Sequence, residues 1–296
     1  MGGCASKPRQ KPKLPSPSQI IQGHHLHQME SKFPVIHCGF DVGSVPLSKF
    51  TEPKFLPTMG EDLWRKPMPA LVVMTTLQHK SILFHIDRIF CWVEDLSNRR
   101  KHGPQVVVDP SMGSPRMEVK KLGRSYSQLL EFMLEHAQME ERFIFPVLER
   151  ADRVAGLSKV ANEQHAKDFP IMNGIREQIK SIGVLESGSP VYEEAFLNLS
   201  ARLNDLQAHC KEHFDEEERK LLPLLEAADL SREMQEGTLG QCFEVMEATH
   251  SHLFSFFIAG LSPIDAFCYI EMVKRCGDKD RVTRIIQSLG RAPKDY

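Results

Sequence analysis

Between His136 and Asp152 the chain reads HAQMEERFIFPVLERAD, and between His213 and Asp229 it reads HFDEEERKLLPLLEAAD. Aligned without a gap, the two 17-residue stretches agree at nine positions. His136 falls on His213, Glu140 on Glu217, Glu141 on Glu218 and Pro146 on Pro223. In each copy an imidazole precedes a carboxylate by four residues. On a helix that spacing places the two groups one turn apart on one face, near enough to reach the same ion or two adjacent ions. Imidazole with carboxylate and no thiolate suits iron or manganese, with zinc after them.

The surrounding pattern puts these groups inside the protein. Leu129, Met133, His136, Glu140, Phe143 or Ile144, and Val147 recur in steps of three and four, which is one face of a helix. Leu199, Leu203, Leu206, Cys210, His213, Glu217, Leu221 and Leu224 do the same. Two further apolar stripes each hold a single histidine. His79 lies between Val72 and the group Ile82, Leu83 and Ile86, and His165 is in line with Phe169, Met172, Ile175, Ile179 and Ile182. Four imidazoles and two carboxylates therefore project into one core. An ionised carboxylate buried without a partner costs several kcal/mol, and a cation that accepts all six lone pairs removes that cost. His209, one turn before His213 at the edge of its stripe, is a further candidate ligand, with a place beside the site or at the surface as the competing reading.

Four long amphipathic segments must carry these stripes: about 69–96, 117–150, 158–182 and 190–228, with Ser189 as the N-cap of the last. Short connections make them an antiparallel four-helix bundle, an all-α fold. Residues 1–68 form an arm with nine of the 19 prolines, 69–229 form the bundle, and 230–296 add a C-terminal helical extension broken near GLSP at 260–263. With 41% hydrophobic and 26% charged residues the composition is globular, and a net charge of −2 gives the whole molecule no electrostatic reason to bind nucleic acid. Seven scattered cysteines with no CxxC favour a reducing compartment.

The order His79, His136-x-x-x-Glu140, His165, His213-x-x-x-Glu217, with EERFIFP and EERKLLP closing the two copies, resembles the hemerythrin-like HHE cation-binding domain. The resemblance spans roughly 70–228. It implies a four-helix bundle around a non-haem di-iron centre, with both glutamates as candidate bridges and with manganese or zinc as lesser alternatives. Oxygen-carrying hemerythrins have HxxxH on the third helix and HxxxxD on the last. Here Phe169 stands four residues after His165, and the last helix has HxxxE. The chain is thereby closer to the carboxylate-richer members that sense or bind iron than to reversible oxygen carriers. Glu247-x-x-His250 is a weak fit to the ferritin-like pattern, and His85 and His252 read as structural.

The N-terminus carries a second signal. MGGCAS presents Gly2 for N-myristoylation and Cys4 for S-palmitoylation, followed by an acid-free run holding Lys7, Arg9, Lys11 and Lys13. A lipid chain plus a basic patch or a second lipid makes a stable anchor. The expectation is a chain tethered to the cytosolic face of a membrane, the plasma membrane first. The tail cluster His24, His25 and His27 reads as a solvated run. Three roles suit the whole: an iron or oxygen binding or sensing module, a non-haem di-iron enzyme acting on oxygen, peroxide or nitric oxide, or a membrane-anchored scaffold whose extension binds a protein around a structural metal.

Overall fold

Serine and proline pairs set where the long helices begin. Ser114 accepts a hydrogen bond from Met117 N, and Pro115 occupies the first turn, where its missing N–H has no helical partner to lose. Ser189 and Pro190 repeat the device with Tyr192 N, so the N-cap expected at Ser189 is present. The computed structural model describes residues 69–101, 114–152, 156–228 and 230–276, with a few positions between 282 and 287. Gly2, Cys4, the rest of the arm before 69 and the GHHLH run lie outside the described residues. Among the described residues every regular element is a helix, and none of them is long and apolar enough to cross a membrane.

We number them α1 (Ala70–Lys101), α2 (Pro115–Met139), a π-helical turn (Glu140–Ile144), α3 (Phe145–Asp152), α4 (Leu157–Val184), α5 (Pro190–Lys220), α6 (Leu222–Ala227), α7 (Arg232–Val245), α8 (Phe254–Ala259) and α9 (Pro263–Cys276). α1, α2, α4 and α5 form a closed square, each packed against two others. Side-chain bonds show the antiparallel sense. Along α1 and α5, Glu94 pairs with Ser200, Asp87 with Gln207 and His79 with Glu218. Between α4 and α5, Gln178 reaches Ala195 O and Gln164 reaches Glu216.

The second and fourth segments are not the continuous helices expected from periodicity. Past Glu140 the second helix opens into the π turn, where Phe145 N donates to Glu140 O five residues back. Past Glu217 the fourth is interrupted at Leu221. Pro146 and Pro223 explain both breaks, because each lacks an N–H and its ring would strike the carbonyl four residues earlier. In the second segment the stripe expected at Ile144 and Val147 is kept, joined by Phe145 and Leu148, with Phe143 half-buried. In the fourth it moves by one position: Leu222 and Leu225 are buried where Leu221 and Leu224 are half-buried.

The C-terminal helices lie on the bundle: α7, α8 and α9 all pack against α1, and α7 also meets α2 and the π turn. Polar bonds fix them there. The Glu135 carboxylate of α2 accepts from Ala248 N, Thr249 N and Thr249 Oγ1 at 2.7–2.8 Å. Ser81 Oγ donates to Phe257 O, and His85 Nε2 donates to Phe256 O at 2.7 Å. Gly260 sits so close to α1 that a Cβ there would meet the Ser81 hydroxyl and lie 3.0 Å from Ser81 Cα.

His85, read from sequence as structural, is fully buried and stacked on Phe256 with ring centroids 3.7 Å apart. Burial first, and the nearby Arg88 second, lower its pKa to about 3. The native state therefore resists a proton that the unfolded chain accepts near pH 6.5, so stability falls as pH drops from 6.5 towards 3. At pH 5 this residue is expected to cost about 2 kcal/mol. Thermal unfolding of wild type and His85→Phe at pH 7 and pH 5 checks it; equal pH dependence in the two proteins would refute it.

Candidate metal centre

The six sequence-singled residues meet at one level of the bundle. His79 lies near the start of α1 and His165 near the start of α4, while His136 and His213 lie near the ends of α2 and α5, as antiparallel packing requires. All six are 5% exposed or less. Donor atoms of His79, His136 and Glu140 lie within 4.8 Å of one another, and so do those of His165, His213 and Glu217.

Both carboxylates span the two sets. Glu140 Oε1 lies 3.3 Å from His136 Nε2 and 3.6 Å from His79 Nε2, while its Oε2 lies 3.5 Å from His165 Nε2. Glu217 Oε1 lies 3.0 Å from His213 Nε2, and its Oε2 lies 3.4 Å from His79 Nε2. Two donors each about 2.1 Å from one ion, at angles between about 90° and 110°, stand about 3.0–3.4 Å apart. The observed separations are close to that range. The buried Nε2 atoms of His79, His136 and His213, Glu140 Oε2 and both Glu217 oxygens make no hydrogen bond and face one another only as ion pairs. Buried polar atoms are rarely left so, and six of them converging on one space fit a bound cation.

The opposite ring nitrogens of three of the four histidines are held from outside the centre. His79 Nδ1 lies 2.9 Å from Glu218 Oε1, His165 Nδ1 2.8 Å from Glu141 Oε1 and His136 Nδ1 2.8 Å from Gln78 Oε1. His213 Nδ1 faces Asp168 Oδ2 at 3.6 Å, beyond hydrogen-bond length. A carboxylate or amide oxygen on Nδ1 keeps the proton there and leaves Nε2 as the donor to an ion. The repeated Glu-Glu pair now has a physical meaning. The first glutamate of each pair enters the centre, and the second holds a histidine on another helix. The repeat was the signal that could have identified Glu141 and Glu218 as partners. Gln78 and Asp168 carried no such signal. The α4 stripe pointed to Phe169, which is half-buried, whereas Asp168 is 7% exposed and faces the site.

Opposed charges make the cluster self-compensating. Burial works against the charge on Glu140, yet His136, His165 and His79 together hold its pKa well below the carboxylate range. Burial likewise opposes charge on His79, but Glu140, Glu217 and Glu218 raise its pKa well above the imidazole value. For His213, Asp168 and Glu217 outweigh burial and raise the pKa to about 10. His136 is the exception: burial dominates and lowers its pKa to about 4.

His209 stands apart from the two donor sets. It is 35% exposed, and its Nδ1 lies 2.6 Å from Asp168 Oδ1. His250 is buried against Tyr269, and exposed His252 lies 3.4 Å from Glu131. A cavity of about 30 Å³ opens beside the centre, lined among others by Met133, His136, His165, Asp168, Cys210 and His213. It has room for a water-sized or diatomic molecule and is far below the several hundred Å³ of an organic-substrate pocket.

Compared with known families, the chain matches the Hemerythrin HHE cation binding domain over residues 75–225. That span contains all six donor residues. No curated protein and no solved structure matches the chain.

Proposed function

The chain belongs to the hemerythrin HHE cation-binding family, and from that premise we propose that its bundle holds two iron ions and serves as an iron or oxygen binding or sensing module at a membrane. The observation that carries the iron reading is the convergence of unpartnered Nε2 and carboxylate atoms in two adjoining sets. His79, His136 and Glu140 would hold one ion, and His165, His213 and Glu217 the other, with each glutamate shared between them. Iron, when bound, supplies redox and ligand-binding chemistry that these side chains lack. The chain's own contribution is positional: Glu218, Glu141 and Gln78 keep the protons of His79, His165 and His136 on Nδ1, and the apolar stripes keep bulk water out.

The small cavity favours binding or sensing a diatomic molecule over converting an organic substrate. An enzymatic reading in which the substrate is itself small, such as oxygen or peroxide, is compatible with the same cavity. The membrane location is supported by Gly2, Cys4 and the basic run that follows them in the sequence.

Elemental analysis of the full chain, produced with iron available, tests the proposal. About two irons per chain with carboxylate-bridged ferric absorption bands are expected. Less than about a tenth of an ion in a well-folded chain would refute it. In cells, Gly2→Ala is expected to move the chain from the membrane to the soluble fraction; an unchanged distribution would remove the anchor.

A further inference from the structure

A second buried network starts at the metal centre and ends in the C-terminal helices. Met246 O accepts a hydrogen bond from His250 Nδ1 at 2.8 Å. A carbonyl only accepts, so His250 carries its proton on Nδ1 and presents Nε2 as an acceptor. Tyr269 OH lies 2.9 Å from that Nε2 and donates to it. Its oxygen in turn accepts from Gln78 Nε2 at 3.3 Å. The Gln78 amide is thereby oriented, and its Oε1 faces His136 Nδ1 at 2.8 Å, which must donate. One backbone carbonyl thus fixes the polarity of the whole chain, and His136 is left with its Nε2 lone pair turned towards Glu140. Gln78, His136, Met246, His250 and Tyr269 are all 4% exposed or less, so water does not compete for these bonds.

Met246, His250 and Tyr269 lie beyond the residues that match the family. We infer that the C-terminal helices are a working part of the metal centre, with Tyr269 a positioning residue that, through His250 and Gln78, holds His136 in its metal-binding tautomer. The inference rests on the metal reading proposed above. Tyr269→Phe keeps the ring and removes both the hydroxyl's donation to His250 and its acceptance from Gln78. The amide then retains only the Met246 thioether, 3.3 Å from its nitrogen, and a thioether is a weak acceptor. Nothing then forces Oε1 towards His136.

Two readouts on the full chain test this. Nitrogen-15 NMR of the histidines in the metal-free protein should show His136 as the Nδ1-protonated tautomer in wild type and as a mixture in Tyr269→Phe. Anaerobic titration with ferrous iron should show two sites in wild type, with one weakened about 10- to 100-fold in the variant and the other unchanged. Phe257→Leu serves as the packing control, because the Phe257 ring lies 4.4 Å from that of Tyr269 without joining the network. It should leave tautomer and affinity as in wild type. An unchanged tautomer and unchanged affinities in Tyr269→Phe, or an equal loss in Phe257→Leu, would overturn the inference. Wild type that takes up no iron would instead overturn the metal reading, while the tautomer comparison would still decide the role of Tyr269.

Discussion

With two irons bound as proposed, chelation is expected to lower the unfolding temperature of the folded chain by about 10–20 °C. A ligand at one hundred times its dissociation constant stabilises the native state by about 2.7 kcal/mol, so two such sites contribute about 5 kcal/mol. In a body of about 200 residues each kcal/mol moves the midpoint by about 2–4 °C. The metal-free chain is expected to remain folded, because His79, His165 and His213 are poised to carry charge against Glu140 and Glu217. Differential scanning calorimetry before and after chelation, with iron content measured in both samples, checks the shift. A midpoint that stays within about 2 °C while two irons are removed would show that the ions contribute nothing to the fold.

Glu140→Gln is expected to weaken both ions together, by about 100-fold or more. The reason is geometric: one carboxylate oxygen faces His79 and His136, and the other faces His165. The amide keeps the volume but loses the charge and one acceptor oxygen, so neither donor set retains its shared anion. Glu141→Gln is the matched contrast. It leaves all six donors in place and disturbs only the hydrogen bond to His165 Nδ1. Losses for such an outer partner are about 10- to 100-fold, confined here to the ion held by His165. Iron titrations of the two variants should therefore differ in kind, one losing both sites and the other only one. Two sites at wild-type affinity in Glu140→Gln would rule out the shared carboxylate.

Much of this candidate centre is legible in the sequence. A buried helical stripe tolerates only apolar side chains unless something compensates the polar ones, so His79, His136, Glu140, His165, His213 and Glu217 stood out on their stripes. The internal repeat showed that two helices supply equivalent halves, and Ser189 marked where the last of the four begins. These are local properties, fixed by spacing and side-chain chemistry, and each can be read one helix at a time.

Other features needed the folded chain because they depend on what another helix brings alongside. Pro146 and Pro223 were visible, but whether the backbone answers a proline with a π turn or a break depends on packing. The one-residue slip of the buried stripe past Glu217 follows from that answer. Asp168 reaches the site, while Phe169, with better apolar spacing, is only half-buried, because α5 places His209 and His213 on the Asp168 side. Gln78, Tyr269 and His250 share no sequence pattern: they are separated by up to 191 residues and meet only because α9 and the turn before α8 settle on α1. Sequence alone singled out the side chains that gather in the candidate metal centre, because imidazole and carboxylate on an apolar face must be compensated once buried, by one another or by a cation. Tertiary structure decided what holds those side chains in register, because a hydrogen bond between distant helices is set by their packing and leaves no period in the chain.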